Sequence, residues 1–313
     1  MSYALVFPGQ GSQYVGMGRE LVQWSEEARR TFEEADDVLG ISLSGLCFDG
    51  PEEDLKLTEN TQPAILTASV AALRALSART NVAPAFVAGH SLGEYTALVA
   101  AGSLSFSDAV AAVRERGVAM QAAVPAGEGA MAALLGMDRE DVLEVCREAS
   151  AAGGVAAAAN FNAPGQIVIA GHRSNVLAAM DLYRERGGRR AVELPVSAPF
   201  HCALMKPAAR RMEEVLRDIH IDSPKTVLIN NAQAKALTQS GQIVPSLIRQ
   251  VTSPVLWEDS VRAMIGRGVT SFLEVGPGKV LTGLAKRIDK QAAAHSFVSP
   301  EDIDGAVACL GGE

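Results

Sequence analysis

The arrangement with the clearest capacity for chemistry is Gly89-His90-Ser91-Leu92-Gly93, a G-x-S-x-G pattern between a short apolar run and a helical pattern. This strand–turn–helix setting is typical of a nucleophile elbow, in which a sharp turn presents the serine hydroxyl. Side chains two residues before or after that serine would collide, which accounts for the flanking glycines. Ser91 would lie at a helix N-terminus, where free N–H groups stabilise negative charge. The pattern predicts Ser91 as a nucleophile; the alternative is an ordinary glycine-rich turn with a capping serine.

A serine hydroxyl is a weak nucleophile and needs a base, so one of the five histidines should reach Ser91. His201 is favoured because Pro199 stiffens the irregular segment before it, and loops on a rigid scaffold often carry catalytic residues. His90 is adjacent to Ser91, but neighbouring residues on a sharp turn point apart. The remaining histidines have polar or charged sequence neighbours and are predicted at the surface: His172, His220 and His295. The residues alone leave open that His201 is a capping or packing histidine.

The first loop, Phe7-Pro8-Gly9-Gln10-Gly11-Ser12-Gln13, directly follows the first predicted strand, where ligand sites of open α/β sheets form. A dinucleotide site is not supported, because Tyr14 stands where G-x-G-x-x-G requires its third glycine, and the chain has no G-x-x-x-x-G-K-[ST]. The Gln10 amide could instead donate to an oxyanion, as amide side chains do in acyl transfer. A plain turn residue is the alternative.

Composition limits the function classes that the chain can belong to. Its 313 residues are 48% hydrophobic but only 5% aromatic, which suits helices packed on a sheet rather than a β-sandwich. The formal net charge of −8, with basic residues in pairs rather than runs, argues against non-specific nucleic-acid binding. No signal peptide and no membrane-length apolar run are predicted. The four widely spaced cysteines argue against a zinc site or disulfide framework, so we expect a reducing, cytoplasmic location.

Short apolar runs that end in glycine-rich turns alternate with longer helical patterns, which predicts a mostly parallel sheet covered by helices. Strands of this sheet are predicted at residues 4–7, 85–88, 226–230, 270–275 and 296–299. Its helices are predicted at residues 19–39, 63–79, 92–101, 108–124, 205–219, 257–267 and 280–288.

The pattern changes between Pro125 and Pro195. There the predicted order is β-α-β-β-α-β, which is the ferredoxin-like unit. Its elements are predicted at residues 130–135, 139–152, 155–160, 166–170, 175–186 and 190–194. We therefore expect an α/β catalytic domain formed by residues 1–126 and 196–313, with a small subdomain, residues 127–195, inserted into it.

Six motifs occur in order along nearly the whole chain and together resemble the malonyl-CoA:acyl-carrier-protein transacylase family. They are Phe7 to Gln13, Gly89 to Glu94, Arg114-Glu115-Arg116-Gly117, Asn162-Ala163-Pro164-Gly165-Gln166, Pro199-Phe200-His201 and Glu274-Val275-Gly276-Pro277-Gly278. The resemblance implies a hydrolase-like α/β core with an inserted ferredoxin-like subdomain, which agrees with the organisation predicted from the pattern.

The resemblance also implies a role for each matching residue. Ser91 would be the acylated nucleophile, His201 its base, Gln10 and the Leu92 N–H the oxyanion hole, Arg116 the partner of the malonyl carboxylate, and Gln250 the neutral group that orients the histidine. A planar guanidinium suits paired contacts with a carboxylate. Phe200 would narrow the acyl pocket and favour malonyl over methylmalonyl, unless it is only a packing aromatic.

The implied reaction is a two-step exchange in which malonyl passes from coenzyme A to Ser91 and then to the phosphopantetheine thiol of acyl carrier protein. No metal or redox cofactor is expected, coenzyme A is a substrate portion, and the chain is expected to be monomeric. The carrier is acidic in this family, so basic residues should dock it: Arg189, Arg190, Lys206, Arg210, Arg211, Lys286 and Arg287. Fatty acid synthesis is the expected context. The alternatives are a polyketide carrier, a serine thioesterase or hydrolase, and a non-catalytic docking domain.

Overall fold

A computed structural model describes residues 2–196 and 198–311. Its strands are β1 (Tyr3–Phe7), β2 (Phe86–Gly89), β3 (Gly129–Leu135), β4 (Ala156–Ala163), β5 (Gln166–His172), β6 (Arg190–Glu193), β7 (Val227–Ile229), β8 (Ala236–Leu237), β9 (Ser271–Val275) and β10 (Ala293–Phe297). Its α-helices are α1 (Arg19–Trp24), α2 (Glu26–Leu39), α3 (Leu43–Asp49), α4 (Glu52–Leu55), α5 (Thr58–Ser77), α6 (Gly93–Ala100), α7 (Phe106–Ala122), α8 (Arg139–Ala149), α9 (Arg173–Glu185), α10 (Lys206–Arg217), α11 (Ile243–Thr252), α12 (Trp257–Ile265), α13 (Val280–Ile288) and α14 (Ile303–Cys309).

The larger sheet has six strands in the order β10-β9-β1-β2-β7-β8. Neighbouring strands are parallel except for β8, which is antiparallel to β7. All five residues of β1 are buried because helices cover both faces of the sheet. Leu5 and Phe7 pack into one apolar cluster while Ala4 and Val6 pack into another, as the alternation of side chains along a strand requires. None of the described helices is long and apolar enough to cross a membrane.

The smaller sheet has four antiparallel strands in the order β4-β5-β3-β6 and carries α8 and α9. The chain order of these elements is β-α-β-β-α-β, and they enclose an apolar cluster of their own. The predicted fold class, a hydrolase-like core with a mostly parallel sheet and an inserted ferredoxin-like unit, is confirmed. The domain boundaries placed at residues 126/127 and 195/196 stay a prediction.

Several parts of the sequence prediction were wrong in detail. The single helix predicted at residues 19–39 is broken at Ser25, whose extended backbone ends α1 and whose hydroxyl accepts the Ala28 N–H to cap α2. The last strand was predicted at residues 296–299 but begins earlier. As β10 it spans Ala293–Phe297 and pairs along the whole of β9. Helices α3, α4, α11 and α14 and the two-residue strand β8 were not predicted, and α11 carries Gln250.

Helix α5 begins five residues before the position predicted for it and contains Pro63 in its interior. A proline there cannot bond to the carbonyl four residues earlier, which is that of Glu59. Arg114 Nη1 donates to this carbonyl oxygen at 2.9 Å, so the orphaned acceptor is satisfied by a side chain of α7. The contact ties α5 to α7, the two helices that bring Gln62 and Arg116 to the site described below.

Candidate active site

The structure places Ser91 in a sharp turn between β2 and α6, with a left-handed φ of 53°. A Cβ on Gly89 would lie 1.9 Å from the carbonyl oxygen of Gly93, and one on Gly93 would lie 2.3 Å from that of Phe7. Both glycines are therefore required sterically, as the sequence pattern indicated. The turn places Ser91 at the carboxyl ends of the parallel strands, where open α/β sheets form their ligand sites.

His201 meets Ser91 across the site, although the two residues are far apart in the sequence. The Nε2 atom of His201 lies 2.7 Å from Ser91 Oγ, and its Nδ1 atom lies 2.9 Å from the main-chain oxygen of Gln250. Because a carbonyl oxygen only accepts, Nδ1 carries the proton, and Nε2 is left to accept from the serine hydroxyl. Burial, reinforced by the positive charge of Arg116, lowers the pKa of His201 to about 3. The imidazole is thus neutral at physiological pH and able to take a proton.

Gln250 contacts the site through two different groups. Its main-chain carbonyl holds His201, so the neutral acceptor at the histidine is the peptide oxygen rather than the side-chain amide. The side-chain Nε2 donates to the Ser91 carbonyl at 2.9 Å, and Oε1 accepts from Arg116 Nη2 at 2.9 Å. The side chain therefore links the nucleophile's main chain to the buried cation.

Arg116 is 1% exposed and lies against the nucleophile. Its Nη2 donates to Ser91 Oγ at 3.1 Å, and its Nη1 donates to Gln62 Oε1 at 2.7 Å. The next residue, Gly117, has no room for a side chain, since a Cβ there would lie 2.6 Å from Glu59 Cα. This glycine lets α7 approach α5 closely and brings Arg116 to the site. Arg114, two residues earlier, bonds instead at the partly exposed contact with α5.

The two residues predicted to bind an oxyanion line the same cavity of about 110 Å³ as Ser91 and Arg116. Leu92 follows the nucleophile at the start of α6, and within the described residues its N–H makes no hydrogen bond. Gln10 Nε2 donates to Thr58 Oγ1 at 3.3 Å, a long contact that leaves the amide easily redirected. The apolar part of the cavity wall is formed by Met120, Met131, Leu194, Val196 and Phe200.

Several polar residues of the site were not predicted to act there. Asn231 Oδ1 accepts the Ser91 N–H at 2.7 Å, and Asn231 Nδ2 donates to the Gly89 oxygen at 2.7 Å, so one side chain holds both sides of the turn. Glu94 and Gln62 are buried beside it. The position of Asn231, just after the strand that neighbours β2, is a signal that could have found it, since carboxyl ends of parallel strands meet at one edge.

Among the described histidines, His201 alone forms a hydrogen bond with the Ser91 hydroxyl, although His90 lines the same cavity. His90 Nε2 lies 2.9 Å from Asn162 Oδ1, and its ring is tilted against Trp257 with centroids 5.7 Å apart. His220 is exposed beside Asp222. Among residues 2–196 and 198–311, no group of three or more His, Cys, Asp or Glu side chains could hold a metal ion.

A strained serine at a strand–helix turn, a neutral histidine on its hydroxyl and a buried arginine beside both define a serine acyl-transfer site on an α/β fold. The acyl transferase domain model matches residues 4–302. A malonyl CoA-acyl carrier protein transacylase of Bacillus subtilis (strain 168) is 48% identical over 307 residues, which cover 98% of this chain and 96% of that protein. The chain belongs to the acyl transferase family, and the resemblance read from its motifs is confirmed.

Solved structures agree with this assignment. An acyl-carrier-protein S-malonyltransferase from Burkholderia pseudomallei 1710b superposes with a TM-score of 0.96 at 47% identity, covering 98% of this chain and all of that one. A malonyl-transacylase in complex with a type II polyketide synthase acyl-carrier protein superposes with a TM-score of 0.96 at 43% identity, with 99% and 100% covered.

Proposed function

We propose that this chain transfers malonyl groups from coenzyme A to the phosphopantetheine thiol of acyl carrier protein through an ester on Ser91. One observation carries the proposal: Ser91 Oγ lies 2.7 Å from His201 Nε2 and 3.1 Å from Arg116 Nη2. A base makes the hydroxyl nucleophilic, and a buried cation beside it suits an acyl group that ends in a carboxylate. A site for neutral acyl groups would gain nothing from burying that charge.

In the first half-reaction, Ser91 Oγ attacks the thioester carbon while its proton passes to His201 Nε2. The tetrahedral oxyanion is stabilised by the Leu92 N–H and, after a small rotation from Thr58, by the Gln10 amide. The C–S bond then breaks, and coenzyme A leaves as a thiol with the proton from His201. The malonyl group remains as the Ser91 ester.

The second half-reaction reverses the first with a different thiol. The phosphopantetheine thiol of the carrier gives its proton to His201 and attacks the ester carbon. The C–O bond to Ser91 breaks, and the serine oxygen recovers the proton. Since both halves share one ester intermediate, ping-pong kinetics follow. These steps need no metal or redox cofactor.

The cavity supports malonyl as the preferred acyl group. It encloses about 110 Å³, and Phe200, which is 8% exposed, forms part of its wall next to His201. A methyl branch on the acyl group would have to displace this ring or a neighbouring methionine. Arg116 supplies the specificity for the free carboxylate, since its Nη atoms contact only neutral acceptors before substrate arrives.

The carrier protein is proposed to dock on exposed basic residues. Arg211 is paired with Glu115 and Glu214, and Arg287 donates to Gln166 and to the Pro164 oxygen, so these two are partly committed to internal contacts. The other candidates are exposed and form no ion pair within the described chain: Arg189, Arg190, Lys206, Arg210 and Lys286. We expect the carrier of fatty acid synthesis. A polyketide carrier is the second candidate, because the superposed malonyl-transacylase described above is bound to one.

We also propose a monomer in a reducing, cytoplasmic setting. The four cysteines, Cys47, Cys146, Cys202 and Cys309, are buried free thiols. Burial raises the pKa of the Cys47, Cys146 and Cys202 thiols, which keeps them protonated and unreactive.

Intact-mass spectrometry tests the proposed function directly. Mixing the protein with malonyl-CoA should add one malonyl group, which should disappear when a fatty acid carrier protein is added and appear on the carrier. The Ser91→Ala variant should fold and gain no mass. A hydrolase would instead release free malonate at the same rate without the carrier, and a docking domain would gain no mass at all. A stable adduct on Ser91→Ala would overturn the assignment of the nucleophile.

A further inference from the structure

Glu94 is a fully buried carboxyl that the transfer steps above do not use. It lies in the first turn of α6, three residues after Ser91. Its Oε2 accepts two hydrogen bonds at 2.9 Å, one from the Asn231 N–H and one from Gln250 Nε2. Its Oε1 has no partner within the described chain. Burying a carboxyl is costly, so its retention here calls for a reason beyond packing.

Both partners of Glu94 hold the main chain of Ser91. Asn231 Oδ1 accepts the Ser91 N–H at 2.7 Å, and Gln250 Nε2 donates to the Ser91 carbonyl at 2.9 Å. Ser91 has a positive φ, a conformation that non-glycine residues keep only when their surroundings enforce it. The carboxylate is therefore the common anchor of the Gln250 side chain and the Asn231 main chain, and both of these residues hold the strained Ser91.

The charge on Glu94 also reinforces the orientation of the Gln250 amide, which the Ser91 carbonyl and the Arg116 guanidinium favour as well. An ionised carboxylate only accepts, so it selects the Nε2 end of the amide and leaves Oε1 to accept from Arg116 Nη2 at 2.9 Å. The reversed amide would set Oε1 against the carboxylate and Nε2 against the guanidinium. Two acceptors and two donors would then face each other in a buried site, which is unfavourable.

Arg116 needs a counter-charge that does not occupy its hydrogen-bonding edge. Its acceptors are Gln62 Oε1, Gln250 Oε1 and Ser91 Oγ, all neutral. Glu94 lies on the far side of the Gln250 amide and supplies negative charge from there. The guanidinium can thus stay buried before substrate arrives and remain available to an acyl carboxylate.

We propose that Glu94 is a positioning residue whose carboxylate orients Gln250 and Asn231 and through them sets the Ser91 main chain and the Arg116 guanidinium. The inference rests on the proposed acyl transfer, because the acylation rate is what the carboxylate controls. Glu94 touches no substrate atom, so its effect must pass through its neighbours.

The protonation state of Glu94 gives a readout that simple packing would not. Burial raises its pKa to about 7, against the opposing effects of the Gln250 and Asn231 hydrogen bonds and of Arg116. Above that pH the carboxylate is ionised and holds the amides; below it the neutral acid holds them less strongly. Tyr95 and His201, which lie nearby, do not change charge in this range. Burial raises the pKa of Tyr95 to about 12 and lowers that of His201 to about 3, and it also lowers the pKa values of His90 and Arg116.

The test is the rate of the acyl-enzyme burst between about pH 5.5 and 8.5, measured with malonyl-CoA and with acetyl-CoA, for the wild type and Glu94→Gln. The wild-type rate should fall by about tenfold as pH drops through the Glu94 titration, for both substrates. Glu94→Gln should show the low rate at every pH, since the amide mimics the neutral acid. Glu274→Gln is the matched control, because Glu274 is equally buried but accepts from Leu281 and Thr282 at the start of α13. It should keep the wild-type pH profile.

Thermal unfolding of each variant shows whether a lower rate comes from a loss of folded protein. The pH profile of the wild type tests the proposal independently of how the variants fold. The positioning role would be overturned by a wild-type burst rate that does not change with pH, or by a fall at low pH that persists in Glu94→Gln. It would also be overturned by a fall in rate with malonyl-CoA alone. Absence of any acyl adduct on the wild type would overturn the proposed function itself, so the two failures are distinguishable.

Discussion

Nη2 of Arg116 donates to Oγ of Ser91 at 3.1 Å, so the atom proposed to carry the acyl group lies within reach of a buried guanidinium. The terminal carboxylate of a malonyl ester is only one methylene beyond the acyl carbon. A short movement of the same guanidinium can therefore pair it with that carboxylate. The proposed nucleophile and the proposed selectivity group are thus built as one unit rather than as separate subsites.

Replacing Arg116 by alanine should separate malonyl transfer from general acyl transfer. Two charge-assisted hydrogen bonds, each worth about 1.5–3 kcal/mol, would be lost for malonyl, so kcat/KM for malonyl-CoA should fall by about a hundredfold or more. Acetyl-CoA lacks the carboxylate, so its kcat/KM should be unchanged or higher. Arg30→Ala, which removes an exposed arginine of α2, is the control and should leave the ratio of the two substrates as it is. A proportional fall for both substrates in Arg116→Ala would mean that Arg116 only supports the structure.

Replacing His201 by alanine should lower the acylation rate by about 10² to 10⁴, the usual value of general-base help. Because burial lowers the pKa of His201 to about 3, the imidazole is neutral and competent above that pH and lost as base only below it. The fall in acylation rate caused by protonation of His201 should therefore lie well below pH 6.5. Rapid-quench measurement of the acylation rate of Glu94→Gln can detect it. His220→Ala, at an exposed histidine, is the control. A loss below about tenfold in His201→Ala would point to another base.

Gly93→Ala and Gly283→Ala form a matched pair on the sterics of the elbow. A Cβ on Gly93 would lie 2.3 Å from the Phe7 oxygen and 2.8 Å from the Pro8 oxygen, whereas one on Gly283 in α13 would meet nothing within 4 Å. Gly93→Ala should lower the free energy of unfolding by more than about 2 kcal/mol and abolish the Ser91 adduct. Gly283→Ala should raise it by about 0.5–1 kcal/mol, the usual gain in a helix. Urea unfolding and intact mass measure both effects, and an active, stable Gly93→Ala would contradict the elbow geometry.

Charge reversal at Lys206 and Arg210 should weaken use of the carrier protein. Both residues lie on the first turns of α10, shortly after the His201 turn, and are exposed. The variant that carries both Lys206→Glu and Arg210→Glu should raise KM for the carrier several-fold at low salt. The dependence of this KM on salt should also become weaker, because exposed charges are screened over about 10 Å at 0.1 M. The acylation burst with malonyl-CoA should be unaffected. Arg30→Glu on α2 is the control, and an unchanged KM in the double variant would move the docking surface to another candidate.

Much of the core of this fold could be predicted from local pattern. The strands β1, β2 and β9 are buried apolar runs ending in glycine or polar turns, and α13 was predicted with its observed bounds because its amphipathic pattern is regular. The break at Ser25 was missed because hydrophobic spacing continues across it. Helix α11, which carries Gln250, was missed because Pro245 in its first turn is typical of a loop.

The sequence by itself determined the sharp turn that carries Ser91 and the setting of that turn. A serine between two glycines, after a buried strand and before a helix, can form only a tight turn, and that turn is a local property of a few residues. It also determined, through motifs in register, the family to which the chain belongs. The resemblance implied most of the groups around Ser91, but the tertiary structure alone decided how they meet and added Asn231 to them. His201, Gln250, Arg116 and Asn231 come from separate loops and helices, and their meeting depends on packing between α5, α7 and α11 that no local pattern encodes. The sequence likewise cannot distinguish whether Gln250 acts through its peptide oxygen or through its side-chain amide, because both groups belong to the same residue. Only the fold directs them to different partners.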